Sequence, residues 1–171
     1  MSVHVRPPLL LAVMSTAVLA LSGCSLPGDS DDTTRNESGE IEEGGELGVF
    51  SFTVGDCFNQ GGATEDGAMP QVEAVEGVPC AEPHDAQVFH LFDVTDAEEF
   101  PGEESLQVTS EEGCLAEFEA FVGAAYEESV LYSSSFTPTA GSWAQGDREV
   151  VCLLVGENGE KLTQDHRDSG A

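Results

Sequence analysis

Positive charge is what this chain has least of. Its 171 residues carry 5 Lys+Arg against 33 Asp+Glu, a formal net charge of -28. So few cations cannot neutralise a run of phosphates, which excludes nucleic acid as a partner. Anionic lipid headgroups would repel the chain too, so residence at a membrane needs a hydrophobic or covalent anchor. Also missing are a CxxC pair, a GxSxG elbow, a glycine-rich phosphate loop and an EF-hand spacing. Their absence argues against a zinc ribbon, an α/β-hydrolase nucleophile, a nucleotide cradle and the best-known calcium loop. No apolar run reaches the about 20 residues that a spanning helix needs. A hydrophobic share of 40% nevertheless argues against disorder along the whole chain and for one domain with extensions.

The first extension reads as an address. Arg6 closes a short positive segment, and Pro7–Ala20 is almost unbroken Leu, Val and Ala, the apolar core of a secretory signal peptide. Leu21-Ser22-Gly23-Cys24 follows. This tetrad resembles the lipobox of bacterial lipoproteins, against the alternative of a secreted protein in which Cys24 is incidental. The resemblance implies a signal peptide over residues 1–23, a diacylglycerol on the Cys24 thiol and a mature N-terminus at Cys24. Two acyl chains anchor stably where one is marginal, which predicts residence on the extracytoplasmic face of the membrane.

Residues 24–48 are mostly Ser, Gly, Asp, Glu and Thr. Such a segment buries too little apolar surface to offset its ordering, so it reads as a disordered acidic tether. The folded domain is expected over residues 49–163, with a flexible tail at 164–171. Strands are predicted at Val49–Val54, Val72–Val78, Gln87–Val94 and Arg148–Val155, with a loop over Gln60–Met69. Pro101 opens a helix in which Leu106, Leu115, Phe118, Phe121, Val122, Ala125 and Tyr126 recur at three- and four-residue spacings. A loop over Thr137–Gly146 carries Trp143. Strands flanking one main helix, without a βαβ repeat, predict a small α+β domain with an antiparallel or mixed sheet.

With Cys24 lipidated, Cys57, Cys80, Cys114 and Cys152 remain, an even number on an exported domain, which reads as two disulfides rather than a metal site. Three pairings are possible. Cys57–Cys80 and Cys114–Cys152 are favoured, joining the ends of two strands and pinning the helix to the last strand.

The order of short motifs carries a second resemblance. Val54-Gly55-Asp56-Cys57-Phe58 is followed by Val78-Pro79-Cys80 and Pro83-His84-Asp85-Ala86-Gln87-Val88. Then come Phe100-Pro101-Gly102, the helix with Cys114, Pro138, Ser142-Trp143, Gly146-Asp147-Arg148 and Val151-Cys152-Leu153-Leu154. The series resembles the septum-formation-related domain of actinobacterial envelope proteins, over about Val54 to Val155. The resemblance implies an extracytoplasmic, membrane-attached domain linked to cell division. It implies no mechanism and leaves the acidic segment outside the match.

The candidate site residues are few. His84-Asp85 could belong to an extracytoplasmic hydrolase, yet further metal ligands are missing, and a turn fixed by Pro83 is the favoured reading. His90 lies in the best strand, sharing a face with Val88 and Phe92 if the strand is regular. Trp143 is the most eligible anchor for a partner, weighed against a plug closing the core, which is favoured. Arg148 belongs to an internal ion pair with Asp147 or to a recognition edge. No metal or cofactor is implied. The function expected is therefore a non-enzymatic, lipid-anchored binding protein of the cell envelope, with the hydrolase or a small-ligand or cation sensor as alternatives.

Overall fold

The computed structural model describes residue 1 and residues 30–61 and 73–171. The signal peptide, Cys24, the start of the acidic segment, most of the 60–69 loop and Val72 lie outside the described residues. Strands β1 (Thr34–Arg35) and β2 (Ile41–Glu43) form a small antiparallel hairpin. Strands β3 (Gly45–Gly48), β4 (Cys57–Asn59), β5 (Ala74–Val78), β6 (Ala86–Asp93), β7 (Tyr132–Phe136) and β8 (Glu149–Val155) make one sheet in the order β3-β5-β4-β6-β8-β7. Every neighbouring pair in it is antiparallel. Helix α1 (Glu103–Val122) and the single turn α2 (Ala140–Trp143) complete the α+β domain.

The central strands β6 and β8 are apolar on both faces, so the sheet needs two covers. Helix α1 supplies the first. Its Leu106, Cys114, Phe118, Phe121 and Val122 pack with Phe89, Val150, Cys152 and Leu154. Gly113 sits where the Phe92 ring presses onto the helix, leaving no room for a Cβ. The second cover comes from the N-terminal segment: Ile41, Leu47 and Phe52 pack with Phe58, Val75, Val88, Val151 and Leu153 on the opposite face.

That second cover corrects the tether expected over 24–48. From Ser30 onward the segment is folded, and Leu47 is fully buried. Arg35 reaches Asp56 with two bonds, at 2.5 and 3.0 Å, and Asp56 is itself 3% exposed. Gly77 makes room for the hairpin: a Cβ there would lie 2.9 Å from the Thr33 methyl and 3.2 Å from Ile41. Val49–Val54, expected as a strand, instead begins with a 3-10 turn at Val49–Ser51 that swings Phe52 onto the second face.

The tail at 164–171 is corrected in the same way. The C-terminal carbonyls of a helix need donors from outside it. Asp168 N–H donates to Phe121 O and Gly170 N–H to Val122 O, both at 2.8 Å, and Ser129 Oγ donates to Ala171 O at 2.6 Å. Helix α1 stops at Val122 because Gly123 takes a left-handed conformation, so Ala125 and Tyr126 fall beyond it. Outside the N-terminal segment, three elements went unforeseen: β4, β7, whose Ser133-Ser134-Ser135 lacks an apolar signal, and α2 inside the expected loop, capped reciprocally by Thr139 and Ser142.

Both favoured disulfides are present. Cys57–Cys80 joins the start of β4 to the loop after β5, and Cys114–Cys152 ties α1 to β8.

Candidate functional site

The residues singled out by type are held inside the fold. Trp143 is 4% exposed, so the core reading replaces the contact one. Its ring meets Phe100 edge-on at 5.9 Å, its Nε1–H donates to Glu98 O at 3.3 Å, and the Arg148 guanidinium lies 3.8 Å over its face. Arg148 also donates to the carbonyls of Trp143 and Asp147. The Asp147 carboxylate accepts from Glu149 N–H at 3.1 Å, so Asp147 and Arg148 meet through the backbone rather than as the expected ion pair. The cations in the described residues all make internal links: Arg35 to Asp56, Lys161 to Asp85 at 2.7 Å, Arg148 to Trp143 and Arg167 to Val54 O at 3.4 Å.

The His84-Asp85 doublet divides its side chains between separate tasks. Asp85 accepts from Gln60 N–H and pairs with Lys161. His84 is wholly buried and exchanges backbone bonds with Leu162 at 2.9 Å. Its Nδ1 lies 2.7 Å from Glu82 O; a carbonyl only accepts, so Nδ1 carries the proton and the buried Nε2 is left without a partner. As placed, a substrate cannot reach either ring nitrogen. His90 stacks on Phe92 at 5.7 Å, half-buried. The β6–β8 register slips between Val88 and His90, so Phe89 and His90 both turn toward α1 while Val88 faces the other layer.

Sequence reasoning missed His166, buried in the packed tail, where Gln87 holds the chain by accepting from His166 N–H at 2.9 Å and donating to Asp165 at 2.6 Å. Burial pushes the His84 imidazole below its ordinary pKa, with Lys161 adding and the Glu82 carbonyl, Asp85 and Asp165 opposing. Burial pushes His166 down as well, His84 adding and Asp165 opposing. The unfolded chain therefore takes up protons at about pH 6.5, a higher pH than either ring needs in the fold. More protons on the unfolded state mean that stability is full above about pH 6.5 and falls below it, by at most about 1.4 kcal/mol per pH unit for each ring, until the folded pKa is passed. Urea midpoints between about pH 8 and 5.5 should show this fall, and His166→Asn should make it shallower. An unchanged slope would show that His166 does not titrate differently in the two states.

The surface offers a concave candidate of a different kind. Helix α1 and the edge strand β7 wall a groove of about 660 Å³. Glu103, Gln107 and Glu111 line it from the helix and Ser133, Ser134 and Ser135 from the strand. Ser135 Oγ donates to Ser110 Oγ at 3.1 Å and so ties the two walls at the groove floor. None of the described Lys or Arg residues lines it. Its lining is acidic and hydroxyl-rich. Among the described residues no cluster of three or more His, Cys, Asp or Glu could hold a metal ion, and no helix is long and apolar enough to cross a membrane.

A family model described as septum formation matches residues 24–168. The match extends past the Val54–Val155 span of the motif series on both sides and takes in the acidic segment. Neither a curated protein nor a solved structure matches the chain.

Proposed function

Since the chain belongs to the septum formation family, we propose that it is a non-enzymatic, lipid-anchored binding protein on the extracytoplasmic face of the cell membrane, engaging another component of the envelope or the division machinery. The observation that carries the binding role is the α1–β7 groove beside a sheet edge that has no further strand among the described residues. The anchor is supported by the lipobox, whose Cys24 is also the first residue of the family match. The folded chain starting at Ser30 then sits close to the membrane rather than at the end of a long tether. The hydrolase reading finds no support, because the His84 ring nitrogens are buried and Asp85 is tied to Lys161 and Gln60.

The test is imaging of dividing source cells carrying a fusion to a fluorescent protein that folds outside the cytoplasm. It is joined through a flexible linker because the Ala171 carbonyl accepts from Ser129. Enrichment at midcell, lost to the medium or periplasm with Cys24→Ala, is the expected result. A uniform envelope signal would overturn the division-linked partner, and an unchanged Cys24→Ala signal would overturn the anchor.

A further inference from the structure

We infer that the α1–β7 groove takes an extended basic segment of another polypeptide, added to the sheet as a strand beside β7. The inference rests on the binding-protein reading and names the chemistry of its partner.

The two edges of the sheet differ. The outer edge of β3 is occupied by the chain that precedes it: Asp31 bridges to Leu47, Asp32 N–H donates to Glu46 O at 2.8 Å, and Gly48 N–H donates to Ser30 O at 2.5 Å. Strand β7 ends the sheet on the other side and has no further strand beside it among the described residues. Open edges offer unpaired N–H and C=O groups, and proteins usually blunt them with lysine, proline or a bulge. Strand β7 has none of these. Its sequence is Tyr-Ser-Ser-Ser-Phe and its register with β8 runs unbroken from Tyr132↔Val155 to Phe136↔Val151. Its serine side chains are short enough to leave the backbone reachable. Helix α1 stands beside the edge and supplies the second wall that strand-adding peptide sites use for selectivity.

The two faces of β7 specify the residue pattern of the added strand. Side chains alternate, so Ser133 and Ser135 face α1 while Tyr132 and Phe136 face the opposite layer. An added strand would direct one set of side chains at Glu103 and Glu111 on the helical wall. The alternate set would lie along Tyr132, an aromatic that is 45% exposed. Lysine or arginine alternating with apolar residues fits both faces. A second copy of this chain does not, because a net charge of -28 on each partner opposes the approach.

The probe is the blocked peptide Ac-KVKVKVK-NH2, titrated into the full chain in neutral detergent and followed by calorimetry and amide chemical shifts. Controls are the same peptide N-methylated at alternate residues, which keeps its charge and loses donors along one edge, and Ac-EVEVEVE-NH2. Both controls should bind at least about tenfold more weakly, and the shifts should centre on Tyr132–Phe136. The double variant Glu103→Lys/Glu111→Lys, with melting checked against the parent, should weaken the basic peptide by a similar factor. Equal affinity for the N-methylated peptide would reduce the contact to diffuse charge attraction and overturn strand addition. So would undetectable binding at about 1 mM, shifts centred elsewhere, an unaffected double variant, or binding of a cell-wall glycan fragment at the same amides in place of the peptide. In cells, a Glu103→Lys/Glu111→Lys chain that still enriches at midcell overturns this inference alone. A parent chain that never enriches there overturns the reading beneath it.

Discussion

A chain shortened to begin at Val49 is expected to lose cooperative unfolding, whereas one that begins at Ser30 keeps the melting transition of the parent. The shortened chain lacks Leu47, which is fully buried, and Ile41, which is nearly so. Emptying a buried Leu or Ile site costs about 2–5 kcal/mol. It also lacks Arg35, leaving the buried Asp56 carboxylate with only the Thr53 N–H of its side-chain partners. Removing one partner of a buried ion pair costs about 3–5 kcal/mol, and the partial exposure of Arg35 places this case near the lower end. These losses rival the about 5–15 kcal/mol that stabilises a domain. They also remove β3 and expose the outer edge of β5. Calorimetry on the two truncations decides the matter: a parent-like transition in the shorter chain would return the segment to the status of a tether.

The second large effect is expected from the double substitution Cys114→Ala/Cys152→Ala. The bridge closes 38 residues and joins α1 to β8 across the core that also holds Trp143. Loop-closure entropy assigns it about 3.9 kcal/mol, against about 3.4 kcal/mol for the 23-residue loop of Cys57–Cys80. Urea unfolding followed by Trp143 fluorescence should show the midpoint falling further for the Cys114/Cys152 pair than for Cys57→Ala/Cys80→Ala. The reverse order would mean that native-state geometry, not the length of chain closed, sets the stabilisation.

The failed tether has a physical reason that was present in the sequence and was outweighed there by local composition. Gln87–Val94 and Arg148–Val155 are nearly continuous in apolar residues, the signature of strands covered on both faces. One amphipathic helix can cover one face. The other face required a second layer, and Ile41 and Leu47 were apolar residues without an assigned place, close to Phe52 in the strand expected over Val49–Val54. Window composition over 24–48 recorded the acids, which do stay at the surface at Glu42, Glu43 and Glu46, and missed three anchoring contacts spaced along the chain. Strand β7 was hidden for the converse reason. An edge strand with its outer side open and serines on one face needs no apolar period, so pattern analysis had nothing to detect.

The candidate site followed the same division. Residue type pointed to Trp143, His84, Asp85 and Arg148, and each is engaged in holding the fold. The groove is made from Glu, Gln and Ser residues that look like ordinary surface in sequence. It exists only because β7 lies beside α1 at the end of the sheet.

The sequence by itself determined the acidity, the family, the α+β class, the main helix and the central strands, and it favoured one of the three pairings of four cysteines. All of these depend on local period or on the order of rare residues along the chain. Tertiary structure alone decided which segments cover the second face, where the β6 bulge turns Phe89 and His90 together, how the tail closes α1, and which sheet edge has no further strand among the described residues. Those features arise from unmet needs: an uncovered apolar face, helix carbonyls without donors, a strand edge without a neighbour. Such needs appear only when distant parts of the chain have been brought side by side.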